Sequence, residues 1–213
     1  MALPKINMIL RGTFAGGDSN NRKSKYRKKV LTTTRSLVQW HEPIIFTHID
    51  EEKVVFPHKD ALIISTIIYN HRVHQVFIDD DGTVNILFAE VMVQIGIPFS
   101  KLTPIKTPLI DIEGSGVLVK GVLEFPIILG TPPKCVSLRQ SFMVIDMALA
   151  YNAILGIPFL DQINVIINTR YLTLKLPTQK GVATAREDQT ISKQCASTCL
   201  KGKKILILGQ KGS

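Results

Sequence analysis

The stretch Val76-Phe77-Ile78-Asp79-Asp80-Asp81-Gly82-Thr83-Val84-Asn85-Ile86-Leu87-Phe88 constrains this chain most. An apolar, strand-like run stops in three carboxylates and a glycine, then resumes as a second apolar segment. An ionised carboxylate loses its hydration in a buried strand unless it is paired, so chains usually place such clusters in solvated loops. Wedged between two apolar runs, the cluster is either an exposed tight turn or a catalytic site.

The apolar runs on either side set the fold class. The chain has 213 residues, enough for one ordinary domain with tails. It is 45% hydrophobic but only 7% aromatic, so its core must come from Ile, Leu and Val, a β-branched bias that favours strands. No apolar run reaches the roughly 18 residues that span a bilayer. The start, Met1-Ala2-Leu3-Pro4-Lys5, lacks the apolar region of a signal peptide. The expectation is a soluble intracellular chain, cytoplasmic or nuclear, with no membrane partner. Cys135, Cys195 and Cys199 make no disulfide framework. Cys195 and Cys199 have no nearby histidine, which argues for thiols in a tail rather than zinc ligands.

Charge divides the chain. Residues 1–35 carry nine Lys/Arg and one acid, residues 179–213 seven and two, and the stretch between them ten and fourteen. The pattern is an acidic core between two basic arms. The first arm, with Gly16-Gly17 and the cluster Arg22 to Lys29, has no structural periodicity and reads as disordered. Its cluster suits non-specific contact with nucleic-acid phosphates, or simply solubility.

Taken in order, Pro43 to Phe46 and Val54 to Phe56 read as short strands. Ala61 to Tyr69 and Val73 to Ile78 form a hairpin about Asn70-His71-Arg72. His71 and His74 read as exposed polar residues. After the acidic turn, Leu87, Phe88, Val91, Met92 and Ile95 recur at helical spacing, with Asn85 as N-cap and Gly96 as the stop. Leu109-Ile110 and Val117 to Phe125 flank the glycine-rich tip Asp111 to Gly116, and Gln140 to Met147 is a further strand. Tyr151 to Gly156 is an apolar strand feeding a short helix that starts at Ile157-Pro158. Asn164 to Leu176 makes another hairpin, with Leu172, Leu174 and Leu176 on one face. Strands this short and numerous point to a barrel or sandwich. Residues 179–213 read as a mostly disordered basic arm.

Two chemistries bear on the acidic turn. With Asp79 and Asp81 at the third and fifth positions of a calcium loop, Gly82 takes the sixth. The first and twelfth positions are then Phe77 and Phe88, which cannot bind the ion. The alternative is paired-carboxylate acid/base catalysis, in which two close carboxyls share a proton. One such turn per chain requires a homodimer to complete the pair.

Several stretches resemble the aspartic protease region of plant Ty3/gypsy-type retrotransposon polyproteins, a retropepsin-like domain. They are Phe56-Pro57-His58-Lys59-Asp60-Ala61-Leu62-Ile63-Ile64, the strand and turn around Asp79, and Tyr151-Asn152-Ala153-Ile154-Leu155-Gly156-Ile157-Pro158. Leu176-Pro177-Thr178 with Gly181-Val182, and upstream Ile6-Asn7 and Gly16-Gly17, follow the same order, so the likeness runs over roughly residues 6 to 200. The resemblance implies a closed retropepsin-like β-barrel with one or two short helices, half an active site per chain, a polypeptide substrate and no cofactor or metal. It implies Asp79 as the catalytic carboxylate, Ile154-Leu155-Gly156 as the motif supporting it, and Ile112, Glu113, Gly114, Ser115 and Gly116 as a flap.

Where the family motif has glycine two residues after the aspartate, this chain has Asp81. An alternative register, Asp80-Asp81-Gly82 followed by Thr83, restores the glycine and shortens the spacing to the next apolar run. In both registers an aspartate stands where the wider group has a small hydroxyl residue. The expected organisation is a basic disordered arm over 1–35, a linker with short strands over 36–56, the protease-like domain over 57–178 and a second basic arm over 179–213. The expected activity is that of an aspartic endopeptidase, impaired if Asp81 spoils the site. A decayed protease fold that dimerises or binds, and nucleic-acid binding through the arms, are the alternatives.

Overall fold

The computed structural model describes residues 5–6, 43–105, 109–110, 116–117, 119–147 and 149–201. The chain is mainly β. Its strands are β1 (Lys5–Ile6), β2 (Ile63–Ile68), β3 (His71–Ile78), β4 (Ile86–Phe88), β5 (Leu109–Ile110), β6 (Gly116–Val117), β7 (Val119–Thr131), β8 (Lys134–Ile145), β9 (Ala153–Leu155), β10 (Ile166–Asn168), β11 (Thr173–Thr178) and β12 (Gly181–Arg186). The helices are α1 (His48–Glu51), α2 (Ala89–Gln94), α3 (Ile157–Leu160) and α4 (Gln189–Lys201).

Six strands close into a ring in the order β3-β2-β7-β8-β4-β9, with β9 returning to pair with β3. β1 lies parallel to the first half of β3, and β9 lies parallel to its second half. A three-stranded sheet, β10-β11-β12, joins the same core through Leu174, Leu176 and Ala183. Ring closure leaves no bare edge around the wall, and the interior fills with Ile, Leu, Val and four fully buried phenylalanines, Phe88, Phe125, Phe142 and Phe159.

The β2–β3 hairpin turns on Tyr69 and Asn70, both left-handed (φ +48° and +62°), as a two-residue turn requires. His71 and Arg72 belong to β3 rather than to the turn. Within β3, Gln75 is also left-handed (φ +56°) at a register break against β2. This bulge shifts the inward alternation by one residue, from Val73 and Gln75 to Val76 and Ile78. Phe77 and Asp79 are thereby turned to the opposite face.

Three expectations are corrected. Asn85 does not cap a helix: residues 86–88 are a strand, and α2 starts after Phe88. Gly96 does follow that helix, at φ +73°. The linker of short strands holds no strand among the described residues 43–56; it is irregular chain around α1, whose Asp50 carboxylate accepts the Thr47 N–H at 2.8 Å. The stretch beginning at 179 is not simply a disordered arm. β12 pairs residue by residue with β11, and α4 follows it, with Cys195 fully buried rather than set in a tail. No helix among the described residues is long and apolar enough to cross a membrane.

Asp50 fixes the irregular segment to the barrel. It is only 4% exposed, and it takes Lys175 Nζ at 2.8 Å and Arg186 at 3.3 Å. Burial alone would raise its pKa, but the bonds from Lys175 and Thr47 outweigh that and hold it below the usual carboxylate range. Removing one partner of a buried pair strands the other charges. Asp50→Ala is expected to cost about 2–3 kcal/mol, toward the low side because Arg186 is partly exposed. Urea unfolding measures this as a lower midpoint at an unchanged slope.

Candidate active site

The acidic turn sits where β3 leaves the barrel wall, and β9 anchors it. Asp79 N–H donates to the Leu155 carbonyl at 3.0 Å, which prolongs the β3–β9 pairing by one step. The chain then folds back, with Gly82 N–H on the Asp79 carbonyl at 3.2 Å and Asp81 N–H on Asp79 Oδ1 at 3.3 Å. Ile157 N–H donates to the Gly82 carbonyl at 2.8 Å. The loop from Asp79 to Asn85 therefore wraps over the junction between β9 and α3, and β9 lies between the strands that enter and leave the loop.

Two glycines make this possible. A Cβ on Gly156 would overlap the Gly82 carbonyl oxygen and lie 2.6 Å from that of Val84. A Cβ on Gly82 would lie 2.8 Å from Asp79 Oδ2. A side chain at position 82 would therefore press on the Asp79 carboxylate and shift it, while Asp81 is exposed. Within one chain the bulk of Asp81 is accommodated in solvent.

The three aspartates are not equivalent. Asp79 is half-buried, whereas Asp80 and Asp81 are exposed. Burial pushes the Asp79 carboxyl above its ordinary pKa, and the neighbouring charges of Asp80 and Asp81 add to this. The amides of Asp81 and Gly82 pull the other way without cancelling it. A carboxyl poised above its usual range, in a turn held by backbone bonds, has the character of a proton-transfer group.

Ile154, Leu155 and Gly156 are buried directly behind the turn, and Thr83 is exposed beside it. Ile112, Glu113, Gly114 and Ser115 lie outside the described residues. Gly116 pairs with Ile110 in the β5–β6 hairpin.

One positioning residue escapes a local reading of the sequence. Asn85, 1% exposed, accepts the Gly156 N–H at 3.0 Å and donates to the Ser141 carbonyl at 3.2 Å. Its own carbonyl accepts Met143 N–H at 2.9 Å. One side chain thus ties β4, β8 and the end of β9 together. Asn152 does similar work at the other end of β9, donating to the His74 carbonyl at 2.8 Å.

A scan against protein-family models gives no match, and neither does a search of curated proteins. Among solved structures, the chain is similar to the retroviral protease-like domain of Ddi1 from Leishmania major, at 16% identity and a TM-score of 0.46 over 60% of this chain and 95% of that one. It is also similar to a retropepsin-like aspartic protease from Rickettsia conorii, at 14% and 0.38 over 58% and 79%. EIAV protease complexed with the inhibitor HBY-793 is similar at 15% and 0.38 over 54% and 99%.

Gly156→Ala is expected to destabilise the chain by about 2 kcal/mol, since both opposing oxygens belong to the backbone and that of Gly82 is held by the Ile157 N–H. Chemical denaturation reads this directly. Asp79→Asn is expected to act in the opposite direction. A raised folded-state pKa means that the stability belonging to neutral Asp79 is full below about pH 4 and is lost as pH rises through the folded value. At pH 7 the asparagine variant should melt higher than wild type, and at pH 3 the difference should vanish; calorimetry at the two pH values measures it.

Proposed function

We propose that this chain is an aspartic endopeptidase domain that works as a homodimer, with Asp79 of each copy forming the catalytic pair. The observation that carries this reading is Asp79 itself: a half-buried carboxyl, raised in pKa, fixed by backbone bonds at the rim of a closed β-barrel. The resemblance of Phe56–Ile64 and Tyr151–Pro158 to the protease region of Ty3/gypsy-type polyproteins supports the same reading and suggests polyprotein junctions as substrates.

In the proposed reaction the two Asp79 carboxyls share one proton. The ionised member takes a proton from a water, whose oxygen attacks the peptide carbonyl. The protonated member gives its proton to the carbonyl oxygen, leaving a neutral gem-diol. The proton gained from water then passes to the departing amide nitrogen as the C–N bond breaks, while one gem-diol hydroxyl returns its proton to the other Asp79, which yields the carboxylic acid and restores the shared proton. One shared proton is natural here, because burial first, and then the charges of Asp80 and Asp81, already make each Asp79 resist ionisation.

A second reading, a protease fold that dimerises or binds peptide without cleaving it, draws support from Asp81. In a pair of turns meeting at a two-fold axis, Asp81 adds an exposed charge on each side. Asp81→Gly separates the readings, because restoration of cleavage from a silent wild type supports the second. The basic cluster Arg22 to Lys29 lies outside the described residues; salt-dependent nucleic-acid affinity lost on its removal would assign it a role.

The deciding assay is cleavage of extended peptides between about pH 4 and 6. Asp79→Asn is expected to lower kcat/KM by about a thousandfold or more, and Asp80→Asn to leave most of it. Cleavage indifferent to both substitutions refutes the mechanism.

A further inference from the structure

The C-terminal helix α4 lies against the strand positions that border Asp79. β2 and β3 pair with Ile63 opposite Phe77, and Ile78 N–H donates to the Leu62 carbonyl at 3.0 Å. Ala61 therefore leads into β2 at the end of the hairpin where β3 runs into Asp79. The Ala61 carbonyl accepts the hydroxyl of Ser192, on α4, at 3.3 Å. One residue earlier, Asp60 accepts Gln189 Nε2 at 2.9 Å. The start of α4 is therefore bonded to Asp60 and Ala61, in the segment that leads into β2.

The surface beneath α4 is apolar. Phe77 shares the face of Asp79, two residues away, and its ring stacks on Tyr151 with centroids 5.1 Å apart. Together with Ala61, Ile63 and Ala150 these rings form a shelf, and Ile191 and Cys195 of α4 pack on it. Cys195 is fully buried, and its thiol donates to the Ala150 carbonyl at 3.2 Å. We propose that α4 is a displaceable strap occupying, within the same chain, the apolar shelf beside Asp79 on which an extended polypeptide lies. This rests on the reading of Asp79 as a substrate-facing group and goes beyond it, because it makes access to the site conditional on α4.

Two features make the strap releasable rather than a fixed part of the core. Its described contacts with the shelf come from one narrow side, Ile191, Ser192 and Cys195, while Lys193, Gln194, Ala196 and Ser197 are exposed. The residue two before it, Glu187, is held half-buried with no hydrogen-bond partner for its carboxylate oxygens. Burial first, then the charges of Asp60 and Asp188, push its pKa up to about 7, which the Lys193 charge offsets only in part. Lys53 lines the same groove. The neutral carboxyl favours docking in full below about pH 4.5, and that contribution is lost as pH rises toward 7. The strap is thus held by few apolar groups, by the bonds of Gln189 to Val55 and Asp60, of Ser192 to Ala61 and of Cys195 to Ala150, and by a carboxyl that works against it once charged.

Mutual exclusion is a coupling between two binding events and must be reciprocal. The probe is a six-residue apolar peptide carrying a hydroxyethylene group in place of the scissile amide. In a Cys135→Ser, Cys199→Ser background, Cys195 is the sole thiol, and its alkylation by N-ethylmaleimide reports release of α4. Saturating peptide is expected to speed alkylation about tenfold, and Cys195→Arg to bind the peptide about tenfold tighter than wild type. Should Cys195→Arg not fold, Ile191→Asp, at a half-buried position, makes the same comparison. Binding seen only in the released variant also supports the strap. Peptide that slows alkylation or leaves it unchanged overturns the proposal, as does failure of both wild type and released variant to bind. These readouts are independent of cleavage: a chain that binds the peptide with release of α4 yet never cleaves keeps the strap and loses the proposed activity.

Discussion

The backbone at Gly156 runs so close to the carbonyls of Gly82 and Val84 that no side chain fits between them, and the acidic turn takes its shape from that approach. Around it cluster the bonds from Asp79 N–H to Leu155, from Ile157 N–H to Gly82 and from Gly156 N–H to Asn85. All three tie the loop to β9 or to the junction with α3 that follows it, and β9 is the strand that closes the ring. Closure of the barrel and placement of the carboxylate are consequently one structural event. Five bonded residues hold Asp79 where burial raises its pKa, and a free loop would leave it hydrated and ordinary.

Position 81 bears an aspartate that points away into solvent, while the carboxylate of Asp79 is crowded by position 82, which is glycine. The turn is internally consistent as a single chain. Within the chain Asp81 costs little in space, but its charge adds to the resistance of Asp79 to ionisation.

Much of the barrel can be read from the chain in order. β2, β3, β9 and the β10–β11 hairpin follow from β-branched runs broken by turn residues, and α3 from Pro158 after Gly156. What escapes such reading is non-local. Asn85 before an apolar run has the look of a helix cap, but its partners are Gly156 and Ser141, 71 and 56 residues away. The bulge at Gln75, which turns Phe77 and Asp79 to one face, leaves no mark in composition. β12 and α4 are polar enough to pass for an arm. β12 is recruited by pairing with β11, and α4 by a few residues on one side. Residues 44–56 alternate weakly and suggest strands, whereas Asp50 commits them to a loop bound by Lys175 and Arg186. The candidate carboxylate was visible in the sequence, but its distinction from Asp80 rests on burial.

The central claim is that two Asp79 carboxyls act together across a dimer. Wild-type and Asp79→Asn chains refolded together in varying proportion test it most directly, with peptide cleavage measured against the wild-type fraction. If both carboxyls are needed, activity follows the square of that fraction, so an equal mixture retains about a quarter. Activity that falls only in direct proportion, with about half remaining, would contradict the account.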